Sequence, residues 1–316
     1  MFKSLAKKLP HSLQLRLYHR YDLPRQAALA RAAAERTGLP LLETLDLSKV
    51  KTSDTVFILG SGASINEIPA PRWERIGRHD SIGLNFWPVH PFVPRIYLFE
   101  TVARIEGSEA IFDALQSVLN RRANDYRRVV KVISEVWPTD ARQLVFELPE
   151  GLYPNLYLGY SSTVIARNQK ELIAGLRYLR RLGIFAPGDR LPWHFKYAGS
   201  VLAALSLAVR MGYRRIVLCG IDMGKAEHFY HDPQRYPEEG GWEFVPRTAL
   251  HMAARRLEFL VPGQEAVVHF QREILDPAQI ELFVENRSSK LFPNVAEMPA
   301  SLWEQLAAPA AARVER

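Results

Sequence analysis

Gly60, Ser61, Gly62, Ala63 and Ser64 follow the apolar run Val56-Phe57-Ile58-Leu59. A buried strand that turns through glycines into a helix start aims backbone N–H groups at an anion. Ser64 is the expected N-cap, with Glu67 three residues on as its capping-box partner. Lacking a Cβ, Gly60 and Gly62 would let a phosphate or a ribose come close to the backbone. The same pattern also serves as an ordinary strand-to-helix turn, and the stretch alone does not choose between the two. Gly199-Ser200 opens the apolar helix SVLAALSLAVRM, and Gly212 ends it. Arg215 to Cys219 then reads as a strand, which places Gly220-Ile221-Asp222 at its end. HFYHDPQRY comes next, with His228, Tyr230, His231, Arg235 and Tyr236. Histidine, tyrosine and arginine beside a strand end suit phosphate binding and proton transfer; a polar surface loop with aromatic anchors would have the same composition.

These groups need a frame. Asp80 to Phe86 reads as a second strand ending at Asn85, and Arg95 to Phe99 as a third, ending at Glu100-Thr101. A dinucleotide fold would carry a third glycine near Ile65 and an acid where Asn85 stands, so a nicotinamide or flavin cofactor is disfavoured. An amide there can still bond a ribose or a base edge as donor and acceptor. Residues 105–125 read as a helix, Arg128 to Ile133 as a strand, and 161–181 as partly helical. Val245 to Phe259 reads as a helix carrying Arg247, His251, Arg255 and Arg256. Ile280 to Glu285 is the last strand, followed by Ser288 and Ser289. The expected fold is α/β, a single Rossmann-like domain with a mostly parallel sheet over residues 54–300, a lid at about 223–247, and a tail at 301–316.

Residues 1–53 form a basic helical leader in which Phe2, Leu5, Leu9, Leu13 and Leu17 recur near helical spacing, broken at Pro10. Such a helix either lies on an anionic lipid surface or packs on the main domain. The 316 residues carry 41 Lys+Arg against 34 Asp+Glu, a balance that suits an anionic partner. Cys219, the one cysteine, excludes an internal disulfide framework and fits a cytoplasmic setting. There is no signal-peptide pattern, no membrane-spanning run, no zinc-ligand spacing and no recognised nucleic-acid module.

Taken together, LGSGASINEI, the strand ending at Asn85 and GSVLAALSLAVRMGYRRIVLCGIDM resemble the bacterial CMP-sialic-acid-dependent sialyltransferases of glycosyltransferase family 42, and the wider Rossmann-like group that handles nonulosonic acids. The resemblance covers roughly residues 54–295. It implies a GT-A-like fold with a lid, and metal-independent, inverting transfer of sialic acid, Kdo or a related sugar from its CMP-activated form to a glycan or glycolipid acceptor in capsule or lipopolysaccharide assembly. By the same resemblance Gly60, Ser61, Gly62, Ala63, Ser64, Asn85, Gly199, Ser200, Gly220 and Asp222 hold the nucleotide and donor, joined by Glu100, Thr101, Ser288 and Ser289 at strand ends. Tyr230 and Tyr236 have the family's six-residue spacing for the tyrosines that stabilise the departing phosphate. A histidine acts as base on the acceptor; His251 lies nearest the matching point, with His231 and His228 as rivals. Glu100 departs from the family's amide, which favours a donor such as Kdo over sialic acid. The leader is extra, and would place the enzyme at the inner-membrane surface; association into a homo-oligomer is left open. Two other readings stand beside this one. One is a pterin pyrophosphokinase-like enzyme, which would need magnesium and more carboxylates than Asp222. The other is a non-catalytic nucleotide-binding scaffold on an acidic surface.

Overall fold

The computed structural model describes residues 9–138, 141–164, 166–191, 193–224, 226–244 and 260–306. The helix expected at 245–259, with His251, lies outside them. Eight parallel strands make one sheet: β1 (Thr55–Leu59), β2 (Asp80–Leu84), β3 (Ile96–Phe99), β4 (Val130–Ile133), β5 (Leu156–Leu158), β8 (Arg215–Cys219), β9 (Glu281–Val284) and β10 (Ala296–Glu297). Their order is β10-β9-β8-β1-β2-β3-β4-β5. The chain therefore runs outward from β1 on one side, returns, and continues from β8 on the other. A short parallel pair, β6 (Ser161–Ser162) and β7 (His194–Phe195), stands apart. This is the Rossmann-like α/β fold expected, with helices on both faces.

Alternation along the strands divides the core. Val56, Ile58, Ile82, Leu84, Ile216 and Leu218 face one layer, which includes α1 (His11–Thr37), α4 (Gln169–Arg181), α5 (Ser200–Arg210) and α6 (Gly263–Phe270). Phe57, Leu59, Tyr97, Phe99 and Val217 face the other, with α2 (Ala70–Ile76), α3 (Glu109–Arg122), α7 (Ala300–Gln305) and the aromatic residues Phe229, Tyr230 and Tyr236. Strands buried on both faces read as unbroken apolar runs, which is why β1 and β8 were legible.

Two expectations need correction. The turn after β1 does not start an α-helix capped by Ser64: Ala63–Glu67 is a 3-10 turn whose N-cap is Gly62, with no side-chain cap. The Ser64 hydroxyl is drawn instead to Asp222, and α2 begins only after Pro69. Nor do residues 9–53 stand apart. Leu15, Ala27 and Ala30 of α1 and then Leu42, Leu45, Leu47 and Val50 are buried in the same core as β1 and β2. Of the two readings of the leader, the described part takes packing on the main domain. Among the described residues no helix is long and apolar enough to cross a membrane.

Asp80 locks the amino ends of the central strands. Its buried carboxylate accepts from Thr52 N (2.7 Å), Thr52 Oγ1 (2.5 Å), Ser53 N (3.0 Å) and Tyr213 OH (2.9 Å), and pairs with Arg95 Nε at 3.2 Å. Tyr213 follows α5, so one side chain ties the entry to β1, the start of β2, the start of β3 and the return to β8. Asp80→Ala would leave these donors without their acceptor, and the expected loss is about 3 kcal/mol in urea unfolding. A loss below about 1 kcal/mol would show that the network is dispensable.

Candidate active site

β1 and β8 lie side by side where the strand order reverses, and ligands of open α/β sheets bind at the carboxyl ends of strands at such a point. There the turn 60–64 crosses the loop 220–224 in backbone contact. Gly60 N donates to Cys219 O and Gly62 N to Gly220 O, each at 2.8 Å. A Cβ on Gly60 would sit 2.3 Å from Ile221 Cδ1 and 2.6 Å from Gly220 O. One on Gly62 would sit 2.3 Å from Asp222 Oδ2. Gly220 has φ +64°, and its Cβ would sit 2.5 Å from Ile65 Cγ1. The space on the Cβ side of these glycines is filled by protein, while their backbone lines a cavity.

Asp222 seals the crossing. Ser64 N donates to its Oδ2 at 3.1 Å and Ser64 Oγ to its Oδ1 at 2.5 Å. Burial pushes the Asp222 carboxyl above its usual range, and the two bonds from Ser64 oppose that shift. Ser289 Oγ donates to Ile221 O at 2.7 Å and so braces the loop from behind. The amides of Gly60, Gly62 and Ser64 are thus engaged, and Gly62 bridges His228 in antiparallel register, with Phe229 N donating to Ser61 O at 3.0 Å.

A second constellation faces this crossing. Asn85 ends β2 in the left-handed region, φ +49°, a conformation asparagine tolerates better than most residues. Its Nδ2 donates to Ser200 Oγ at 3.0 Å, its Oδ1 accepts from Glu100 N at 3.4 Å, and its carbonyl accepts from Tyr97 OH at 2.5 Å. Ser200 Oγ in turn donates to Glu100 Oε1 at 2.5 Å, and Glu100 Oε2 pairs with Lys196 Nζ at 3.2 Å. Lys196 also pairs with Glu135. The N-terminus of α5 opens at Gly199, φ +124°, just after Ala198 at φ +51°. Met223 has φ +52°. Asn85, Ala198 and Met223 all line one cavity, so strained backbone gathers at the site.

That cavity holds about 470 Å³. Gly60, Ser61, Gly62, Asn85, Glu100, Gly199, Ser200, Gly220, Asp222 and His228, all singled out in the sequence, line it. Leu84, Ala198, Met223, Glu227 and Leu260 do too, though no motif marked them. Among the described lining residues none is Lys or Arg, and Glu100, Asp222 and Glu227 are carboxylates. Two of the three are compensated, Asp222 by Ser64 and Glu100 by Ser200 and Lys196. Among the described residues no group of three or more His, Cys, Asp or Glu side chains is placed to hold a metal ion.

His228 Nδ1 lies 3.2 Å from both Ser61 Oγ and Ser61 O, which joins the lid to the turn. His231 is buried and its Nδ1 accepts from His228 N at 3.1 Å, a capping role. Tyr230 and Tyr236 are 1% and 8% exposed and do not line the cavity. Their rings pack among Phe86, His90, Phe229 and Trp242, and burial pushes both phenols up, Tyr236 to about 12. In this arrangement the two rings pack in the core beside the cavity and do not face it. Thr101 is buried off the cavity, and Ser288 is exposed. Ala63 and Ser64 stand one layer behind the lining.

No protein-family profile and no curated protein matches the chain. Among solved structures, the sialyltransferase CstII from Campylobacter jejuni, with the substrate analogue cytidine-5′-monophosphate, is 14% identical with a TM-score of 0.38, covering 78% of this chain and 85% of that one. Two single-residue variants of the sialyltransferase Cst-II with CMP are each 13% identical, with TM-scores of 0.40 and 0.41, over 78% of this chain and 86% of theirs. Likeness at this level carries no weight, and the fold and the site stand on the chain's own geometry.

Because the crossing leaves no room for a methyl group, Gly62→Ala should cost about 2 kcal/mol in chemical denaturation. Gly241→Ala, where a Cβ meets nothing within 4 Å, should cost under about 1 kcal/mol. Equal effects at the two positions would contradict a close-packed crossing.

Proposed function

We propose that the chain binds a cytidine nucleotide in this crevice and acts as an inverting, metal-independent glycosyltransferase. The donor is a CMP-activated acid sugar of the Kdo or sialic acid kind, and the acceptor a glycan or glycolipid hydroxyl. One observation carries the reading. The stretches that resemble family 42 lie far apart in the chain, Ser64 and Asp222 by 158 residues, yet they meet around a single cavity at the strand-order switch.

The roles follow from position. The N-terminus of α5, which opens at Gly199 on the cavity wall, is a local positive end and suits the nucleotide phosphate. Asn85, Ser200 and Glu100, already bonded to one another, can exchange those bonds for ribose or base contacts. His228 is the histidine the described structure brings to the cavity, so it is the favoured base. In the proposed step the acceptor oxygen forms a bond to the anomeric carbon from the side opposite CMP. The bond from that carbon to the phosphate oxygen breaks, CMP leaves with the electron pair, and the acceptor proton passes to His228.

A second reading has its own support. A cavity with carboxylates and no lining Lys or Arg among the described residues would also suit a nucleotide whose phosphates carry magnesium, met by one carboxylate such as Glu227, in a pyrophosphokinase-like enzyme. Thermal stabilisation separates the two. CMP at a hundredfold its Kd should add about 2.7 kcal/mol in EDTA. A shift that needs magnesium and a nucleoside triphosphate would favour the second reading, and no shift with any nucleotide would overturn both. His228→Ala should lower transfer by roughly 10²–10⁴-fold while CMP still binds; full activity in that variant would remove His228 as the base.

A further inference from the structure

A second, smaller cavity of about 240 Å³ opens beside the first, and Ala198 and Gly199 line both. One wall is α1. Tyr18, Asp22 and Gln26 follow one another at four-residue steps, so they form a single stripe along that helix. All three are half-buried, on a helix whose fully buried positions are Gln14, Leu15, Ala27, Ala30 and Ala33. The opposite wall is Glu135 just past β4, Ser161 and Thr163 at β6, and Lys196 just past β7. These groups are already organised. Tyr18 donates to Asp22, Ser161 Oγ donates to Glu135 Oε2 at 3.2 Å, and Lys196 joins Glu135 to Glu100.

Carboxylates and an ammonium on the walls of a recess are costly unless something polar meets them. The charges also limit what that can be. Asp22, Glu135 and Glu100 outnumber Lys196 and Arg25, which pairs with Asp22 at 3.9 Å, so an anion is disfavoured. Carboxylates accept from hydroxyls, the ammonium donates to them, and the Ser161 and Thr163 hydroxyls can do either. The volume falls below the range of about 300–1,000 Å³ usual for larger ligands, which points to one ring. We infer that this cavity binds a neutral, hydroxyl-rich sugar residue, with α1 as one wall, and that it is the acceptor subsite of the proposed transferase. Glu100 links the two cavities, with Oε1 on Ser200 and Oε2 on Lys196. An acceptor hydroxyl held here reaches the nucleotide crevice past Ala198 and Gly199. The acceptor assignment rests on the proposed function; the sugar site itself does not.

Saturation-transfer NMR on the full chain tests it, with methyl β-D-galactopyranoside and methyl β-D-glucopyranoside as neutral probes and the methyl glycoside of N-acetylneuraminic acid as the anionic one. At least one neutral glycoside should bind, and CMP should not displace it. Asp22→Asn and Gln26→Phe should each weaken that binding by about tenfold or more, the first by loss of a charged acceptor and the second by filling the recess. Melting curves on the same samples establish folding, and Thr163→Val replaces either variant that fails to fold. Failure of both neutral glycosides, preference for the anionic one, displacement by CMP, or equal binding in the variants would each overturn the inference. CMP titration of the same samples keeps the two claims apart. CMP binding without glycoside binding removes only the sugar site. Variant-sensitive glycoside binding without CMP binding keeps the sugar site and removes the nucleotide reading.

Discussion

At the carboxyl ends of β1 and β8 two loops cross so closely that three of their residues have no room for a side chain. Gly60, Gly62 and Gly220 meet the demand, at the cost of extra unfolded-state freedom of about 0.5–1 kcal/mol each. The crossing fixes the register of everything around it. It brings Asp222 to Ser64 and leaves His228 against Ser61. Asp80 does the corresponding work at the amino ends of the strands. The sheet is pinned at both ends, and the cavity forms at the end where the pinning uses backbone instead of bulky side chains.

The other side of the cavity is held by polar exchange rather than close packing. Asn85, Ser200 and Glu100 satisfy one another, and Lys196 extends the chain of bonds to Glu135. A network of this kind keeps its geometry while a ligand is absent, and each of its bonds can be traded for one to a ligand. Left-handed backbone at Asn85, Ala198 and Met223 belongs to the same picture, because only a well-braced surround tolerates it.

Much of this was legible in the sequence, for physical reasons. Apolar runs marked β1 and β8, glycine and polar residues marked their ends, and Gly199-Ser200 marked the start of α5. Ser64 was misread because capping chemistry is local, whereas the group that claims its hydroxyl lies 158 residues away. For Tyr230 and Tyr236 spacing says nothing about which way a ring faces, and here the rings fill the core. Ala198 and Met223 carry no marker, since strain at a non-glycine residue has no sequence signature. Glu135 and Lys196 belong to no motif, and the inward stripe of α1 was hidden behind its basic outer face.

Hydrogen exchange with and without CMP tests most directly whether the crossing makes a nucleotide site. Bound CMP should slow exchange in the peptides that span 60–64, 84–86, 198–202 and 220–224, and leave the amino ends of the strands around Asp80 unchanged. Protection confined to other segments, or none under saturating CMP, would contradict the assignment of this crevice.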